Sequence, residues 1–152
     1  MGKRPTHLEP DQISPRWGDL GIAVSGRIQV LVFERGHWCG VCLRHLAGLD
    51  AAAERIAGRD ADLVVVTHEM AINRRPHPYR VDVDPALEIG AVFGIVDADE
   101  NGYITLRPTT LVIDDTGRIL FSFVGDDSTD RPTAAEIELV LDEISRARDH
   151  RS

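Results

Sequence analysis

The sequence predicts an α/β fold in three layers: a central mixed β-sheet that ends in a C-terminal β-hairpin, with helices on both faces. Residues 28–33 and 63–66 are almost continuous apolar runs, which are typical of strands covered on both faces. A segment of helical period separates the two runs, and strand–helix–strand is the unit that builds parallel sheets. Residues 110–113 and 119–124 flank the turn sequence Asp114-Asp115-Thr116-Gly117 and predict an antiparallel hairpin.

The chain begins with an irregular stretch and continues as one domain. Residues 1–18 contain three prolines among polar residues and predict an irregular lead-in, whereas residues 19–152 predict a single domain with no internal repeat. The first helix is predicted to follow the first strand, with Gly58 as its stop. Its helical period is carried by Leu46, Leu49, Ala53 and Ile56.

Two further helices are predicted from their start signals. Asp84 resembles an N-cap, and Pro85 suits the first helical position of a short helix. Its inner face would be Ala86, Ile89, Val92 and Phe93. Residues 97–108 are acidic and predict turns, Asn101-Gly102 being the strongest signal. The last helix opens at Thr133, with Glu136 completing a capping box. Its apolar stripe, which predicts packing on the sheet, is Ile137, Val140, Leu141 and Ile144.

Composition narrows the classes of function. The formal net charge of −8 over 152 residues argues against nucleic acid as a partner, because phosphate binding needs a basic surface. No apolar stretch resembles a secretory signal or a membrane span, so the expected compartment is the cytoplasm and no membrane partner is expected. Cysteines in a reducing compartment are more often catalytic or metal-binding than structural.

The only two cysteines, Cys39 and Cys42, stand in a C-x-x-C motif between the first strand and the first helix. That placement in an α/β pattern predicts a redox-active dithiol. The positive end of the helix dipole would stabilise a thiolate at Cys39, and Cys42, one turn deeper, would close an intramolecular disulfide. The predicted roles are therefore attack by Cys39 and resolution of the mixed disulfide by Cys42. Trp38 would shield the site and offer a flat surface to a substrate.

Residues 33–42 resemble the R-G-x-W-C-x-x-C signature of redoxin domains of the peroxiredoxin-like (AhpC/TSA-like) group, which have the thioredoxin fold. Residues 108–119 are similar to the P-x-T-x-x-I-D-x-x-G-x-I segment of the same superfamily, and residues 82–85 with 93–95 resemble its "D-x … F-G-V" helix. The resemblance extends in order over residues 28–144. It implies a thioredoxin-like fold, and it places Pro108 where the family has a cis-proline facing the dithiol.

The sequence also departs from related families. Typical peroxiredoxins have a threonine three residues before the peroxidatic cysteine and an arginine six residues before the I-D aspartate, but here those positions hold Cys39 and Pro108. Arg107 lies one place early. Thioredoxins carry a buried aspartate where this chain has Phe33, so Glu34 is the nearest carboxylate that could move protons. The alternative for Glu34 is a strand-end residue in solvent.

Two metal sites compete with the redox interpretation. His37, Cys39, Cys42 and His45 form H-x-C-x-x-C-x-x-H, which contains four zinc-competent side chains, although zinc sites usually join two separated ligand pairs. Otherwise His45 would be an exposed helix residue and His37 a polar turn residue that could tune the pKa of Cys39. Residues 97–104 copy the start of a calcium loop, but Pro108 stands where a bidentate glutamate is needed. We expect no metal and no cofactor.

The sequence therefore predicts a thiol–disulfide oxidoreductase that contributes to redox homeostasis and antioxidant defence. Its substrate would be a disulfide-containing protein, a small thiol or a peroxide, and a thiol-reducing system would supply electrons. The alternatives are a peroxiredoxin-like thiol peroxidase and a redox-sensing or zinc-binding adaptor without turnover.

Overall fold

A computed structural model describes residues 8–13, 28–35, 40–68, 77–98, 101–127 and 129–151. Ten elements follow one another in these ranges: β1 (Ile28–Glu34), α1 (Gly40–Ala57), β2 (Ala61–Thr67), β3 (Arg80–Val83), α2 (Glu88–Phe93), β4 (Val96–Ala98), β5 (Ile104–Leu106), β6 (Thr109–Ile113), β7 (Ile119–Val124) and α3 (Ala134–Arg151). Among the described residues, no helix combines the length and the apolar character needed to cross a membrane.

The main sheet has five strands in the order β3-β2-β1-β6-β7, which places β1 at its centre. Strand β1 runs parallel to β2 and antiparallel to β6, β3 runs parallel to β2, and β7 completes a hairpin with β6. The sheet is therefore mixed, as predicted. Strands β4 and β5 form a separate antiparallel pair.

Alternation along β1 divides the core into two halves. Val30 and Val32 pack with residues of α1 and α3, whereas Leu31 and Phe33 pack with residues of α2 and β5. Because successive strand residues point to opposite faces, both faces of the sheet are covered by helices. The same alternation directs Glu34, the last residue of β1, towards the side of α1 and α3.

Two predictions about elements are wrong in detail, and one strand has no prediction. Helix α2 begins at Glu88, and its N-cap residue is Leu87 in the left-handed conformation, not Asp84. The Asp84 carboxylate nevertheless accepts hydrogen bonds from the backbone N–H groups of Ile89 and Gly90, at 3.2 and 2.9 Å, because chain folding returns it to the start of the helix. Strand β3 has no signal in the sequence. The turn-rich segment 97–108 contains most of β4 and all of β5, and these strands pair Asp97 with Thr105.

The C-terminal elements follow their sequence signals. The Thr133 hydroxyl accepts a hydrogen bond from the Glu136 backbone at 3.1 Å, and the Glu136 carboxylate accepts one from the Thr133 backbone at 3.2 Å, which confirms the capping box. Ile137 and Leu141 are buried against the sheet, as the apolar stripe predicts. Ion pairs to Glu138 of α3 come from Arg55 in α1 and from Arg59 in the turn that follows α1.

Candidate active site

Four of the seven predicted site residues, Glu34, Cys42, Arg107 and Pro108, lie in the described part of the chain. His37, Trp38 and Cys39 lie outside the described residues, so their predicted roles stay predictions. Cys42 and Glu34 lie near each other at the carboxyl end of β1, where α1 begins. Arg107 and Pro108 lie on the segment that connects β5 to β6.

Cys42 is the third residue of α1 and is fully buried, with 0% of its surface exposed. In the first turn of a helix, unpaired backbone N–H groups and the positive end of the dipole favour a nearby anion. The position therefore favours the thiolate form of Cys42, whereas burial opposes any charge that lacks a partner.

The partner for that charge is Arg131, in the segment between β7 and α3. Its Nη2 atom donates to the Cys42 Sγ atom at 3.5 Å, and its Nη1 atom donates to the Glu34 carboxylate. Only 6% of the Arg131 side chain is exposed. Burial works against the guanidinium charge, but the charges of Glu34 and Cys42 outweigh it and hold the pKa of Arg131 above its ordinary value. Arg131 is therefore a permanent buried cation beside the sulfur.

Glu34 is buried, with 0% of the residue exposed, so its interpretation as a strand-end residue in solvent is wrong. One carboxylate oxygen accepts from Arg131, and the other lies 2.5 Å from the His45 Nδ1 atom. The alternation of β1 turns Glu34 into the space between α1 and α3, where both partners lie. A carboxylate that is contacted at each oxygen by a different side chain is held in one orientation.

His45 is also wrongly predicted as an exposed helix residue, because only 8% of its side chain is exposed. Its Nε2 atom donates to the Pro132 carbonyl oxygen at 2.7 Å, and its Nδ1 atom faces Glu34. A carbonyl oxygen only accepts, so Nε2 carries a hydrogen, and the short contact at Nδ1 requires a second proton between nitrogen and carboxylate. Both ring nitrogens are thus engaged, and a zinc ion at His45 would have to displace one of these partners.

Arg107 and Pro108 form hydrogen bonds with the loop that follows β7. The Arg107 Nε atom donates to the Gly125 carbonyl at 2.7 Å, and its guanidinium pairs with Asp126 at 3.4 Å. The Pro108 carbonyl accepts from the Gly125 backbone at 2.8 Å. The described residues contain no cis peptide bond, so the expectation of a cis-proline at Pro108 is wrong. The hydrogen bond from Gly125 to the Pro108 carbonyl extends the β6–β7 pairing by one residue beyond Thr109 and Val124.

Two members of the site were missed from the sequence. Arg131 lies 89 residues from Cys42 along the chain and carries no local signal. The sequence predicts His45 only as a surface residue or a zinc ligand, and the signal that pairs it with Cys42 is their three-residue spacing, which places both on one helical face. With Glu34, these residues form what we call the Cys42 cluster: Glu34, Cys42, His45 and Arg131.

Metal-binding geometry is not seen in the described part of the chain, which holds no group of three or more histidine, cysteine or acidic side chains arranged around a common point. In the segment that resembles the start of a calcium loop, the Asp97 carboxylate accepts a hydrogen bond from the backbone of Ala98 at 2.8 Å. That segment forms the β4–β5 pair instead.

Comparison with known proteins gives one family. The model of the family described as Redoxin matches residues 19–141, which include the whole Cys42 cluster. No curated protein sequence matches the chain.

Solved structures show the same fold at low sequence identity. The reduced 2-Cys peroxiredoxin of Plasmodium vivax is 15% identical with a TM-score of 0.68, over 81% of this chain and 68% of that one. AhpC of Enterococcus faecalis is 15% identical with a TM-score of 0.71, over 85% and 81% of the two chains. The peroxidoxin BcpB of Mycobacterium tuberculosis is 21% identical with a TM-score of 0.66, over 80% and 82%.

Proposed function

Because the chain belongs to the redoxin family and is a thiol-based oxidoreductase, we propose that it is a thiol–disulfide oxidoreductase that cycles Cys39 and Cys42 between dithiol and disulfide. The observation that carries this proposal is the environment of Cys42, which is fully buried in the first turn of α1 with a guanidinium 3.5 Å from its sulfur. Such a position suits a resolving thiol, which must be reactive but need not meet the substrate.

The reaction proceeds in two exchanges of sulfur. The Cys39 thiolate attacks one sulfur of the substrate disulfide, and the other substrate sulfur leaves as a thiolate with the electron pair of the broken bond. The Cys42 thiolate then attacks the Cys39 sulfur, which forms the Cys39–Cys42 disulfide and releases the second substrate thiolate. The substrate gains two electrons, the dithiol loses two, and two thiols of a reducing system restore it by the reverse exchanges.

The proposed substrates are disulfide-containing proteins or small disulfides, reduced at the expense of a cellular thiol system. Trp38 would border the substrate, and His37 would tune Cys39. The compartment we propose is the cytoplasm, where a reducing poise would regenerate the dithiol. No bound cofactor takes part in this chemistry.

Arg131 favours a second candidate function, reduction of hydroperoxides at Cys42. Although the arginine position typical of peroxiredoxins is Pro108, a guanidinium reaches the Cys42 sulfur from another segment. The Cys42 thiolate would attack the peroxide to give a sulfenic acid and an alcohol, after one proton is taken up. Cys39 would then form the disulfide and release water. The complete burial of Cys42 favours the disulfide reductase, since a peroxidatic sulfur must be reached from solvent.

Insulin-disulfide reduction and hydroperoxide consumption, each coupled to a thiol donor, separate the two functions. We expect the wild-type protein to reduce insulin, Cys39→Ser to lose this activity by at least about a hundredfold, and Cys42→Ser to accumulate the mixed disulfide. A peroxidase would instead keep peroxide consumption in Cys39→Ser and lose it in Cys42→Ser. Full insulin reduction by Cys39→Ser would contradict the proposed roles.

Zinc content tests the adaptor function. Protein purified under reducing conditions is expected to hold far less than one zinc ion per chain, because both nitrogens of His45 are engaged within the protein. A stoichiometric zinc ion that is lost in His45→Gln would replace the redox proposal by the adaptor.

A further inference from the structure

We propose that His45 is a positioning residue that neutralises Glu34, so that the charge of Arg131 remains available to hold Cys42 as a thiolate. The inference rests on the proposed function in that a resolving thiol is useful only as its thiolate. The C-x-x-C motif alone does not predict this role for a buried histidine.

Glu34 and His45 share a proton. Both His45 nitrogens face acceptors, the Pro132 carbonyl at 2.7 Å and the Glu34 carboxylate at 2.5 Å. These two contacts need two hydrogens, one on Nε2 and one shared with Glu34. Whether the shared proton is drawn on the nitrogen or on the oxygen, the Glu34–His45 pair carries no net charge.

Because the Glu34–His45 pair is neutral, Arg131 contributes one positive charge that Glu34 does not cancel. The Arg131 Nη2 atom lies 3.5 Å from the Cys42 sulfur, and both side chains are almost inaccessible to water. An isolated charge is costly in such a buried place. The cluster is therefore balanced when Cys42 is a thiolate, and it carries one excess positive charge when Cys42 is a thiol or part of a disulfide.

The four residues of the Cys42 cluster come from three parts of the chain. Strand β1 supplies Glu34, helix α1 supplies Cys42 and His45, and the segment before α3 supplies Arg131. Without the His45 proton, Glu34 would neutralise Arg131, and a thiolate at Cys42 would give these four residues one excess negative charge. His45 therefore acts on the sulfur through Glu34 and Arg131, not by contact.

The test titrates Cys42 alone. In a Cys39→Ser background, the ultraviolet absorbance of the thiolate is followed against pH, with the variant that lacks both cysteines as the blank. We expect a midpoint below the ordinary cysteine value of about 8.5. Adding His45→Gln should raise that midpoint by about one pH unit or more, equivalent to about tenfold less thiolate at a pH below it.

Glu34→Gln separates charge compensation from proton transfer by Glu34. It removes the anion that competes for Arg131, so the midpoint of Cys42 should stay near that of the Cys39→Ser parent. In the Glu34→Gln/His45→Gln double variant, the midpoint should fall back most of the way from the raised value of His45→Gln to the parental value. His77→Gln is the matched control, because His77 forms a similar part-buried pair with Asp50 at 2.9 Å. It should leave the midpoint unchanged.

Three results would overturn the proposal: a parental midpoint at or above the ordinary value, a folded His45→Gln variant with an unchanged midpoint, or Glu34→Gln raising the midpoint as much as His45→Gln does. The first needs no change in the cluster and remains decisive if a cluster variant does not fold. The titration is independent of turnover. An acidic Cys42 in a protein that reduces no disulfide would refute the proposed function alone, and an ordinary Cys42 in an active reductase would refute this inference alone.

Discussion

Asp114, at the start of the β6–β7 turn, is a buried carboxylate that remains ionised. Burial raises its pKa, but hydrogen bonds from the Thr116 hydroxyl and backbone and from the Arg118 backbone outweigh burial and lower the pKa below its ordinary value. The three donors lie 2.6, 2.8 and 3.0 Å from one carboxylate oxygen. A carboxyl whose pKa is lower in the folded than in the unfolded chain stabilises the fold above the unfolded pKa, and this contribution is lost as pH falls through the folded pKa.

Asp114→Asn should therefore lower the free energy of unfolding by about 1–2 kcal/mol at neutral pH. The difference from the wild type should shrink as pH falls below about 4, where the carboxyl of the unfolded chain takes up its proton, and should vanish once the pH is below the lower pKa of the folded carboxyl. Urea unfolding at several pH values measures both effects. The neighbouring exposed residue gives the control: Asp115→Asn should have little effect at any pH. Equal losses for the two variants at neutral pH would contradict this account of the turn.

At the scale of elements, the contact of α2 with the β4–β5 pair depends on the lack of a side chain at Gly90. A Cβ atom there would lie 2.2 Å from the Leu106 Cδ2 atom and 3.1 Å from the Val96 Cγ2 atom. Leu106 is completely buried, so its side chain could move away from an added Cβ atom only by displacing other core residues. The close approach of α2 to the β4–β5 pair therefore requires glycine at position 90 for reasons of packing.

Gly90→Ala should lower the free energy of unfolding by about 1–3 kcal/mol, because the helix must move away from its partner strand. Thermal or urea unfolding provides the measurement. Gly48→Ala is the matched control in α1, where no heavy atom lies within 4 Å of the added Cβ atom. That substitution should raise stability by about 0.5–1 kcal/mol, since alanine favours the helix interior. A neutral Gly90→Ala would show that the two elements separate without cost.

At the scale of the whole molecule, α3 closes the face of the sheet on which the Cys42 cluster lies. Ile137 on its inner side is 1% exposed and packs in the same core as Val30, Val32 and Leu49, while Leu139 on its outer side is 63% exposed. The segment that carries Arg131 leads directly into this helix. Docking of α3 therefore stabilises the fold and also positions the guanidinium.

Ile137→Ala should cost about 2–5 kcal/mol of stability, because it leaves a cavity between α3 and the sheet. Leu139→Ala, two residues away, should change stability by less than about 0.5 kcal/mol. Chemical unfolding followed by circular dichroism compares the two. If the losses were equal, α3 would not be docked through this face.

Much of the fold follows from local patterns in the sequence. Apolar runs mark β1, β2, β6 and β7, a helical period marks α1, and a capping box with an apolar stripe marks α3. These signals are local, because backbone preference and side-chain periodicity act over a few residues. The short strands β3, β4 and β5 have no comparable signal: β3 forms by pairing with β2, and β4 and β5 form by pairing with each other. The prediction of Asp84 as the N-cap is wrong because its capping bonds depend on a path of the chain that leaves Leu87, and not Asp84, at the helix boundary.

Local patterns of residues are enough to predict the four long strands, helices α1 and α3, the family resemblance and the position of the C-x-x-C motif directly after β1. The surroundings of Cys42 depend on the tertiary structure. Glu34 could equally have been solvated, and Arg131 is 97 residues away from it along the chain. Whether a charged side chain is buried, and which charge compensates it, depends on segments that meet only when α1 and α3 pack on the same face of the sheet. The chemistry of the dithiol is local in sequence, but its electrostatic environment is produced by the fold.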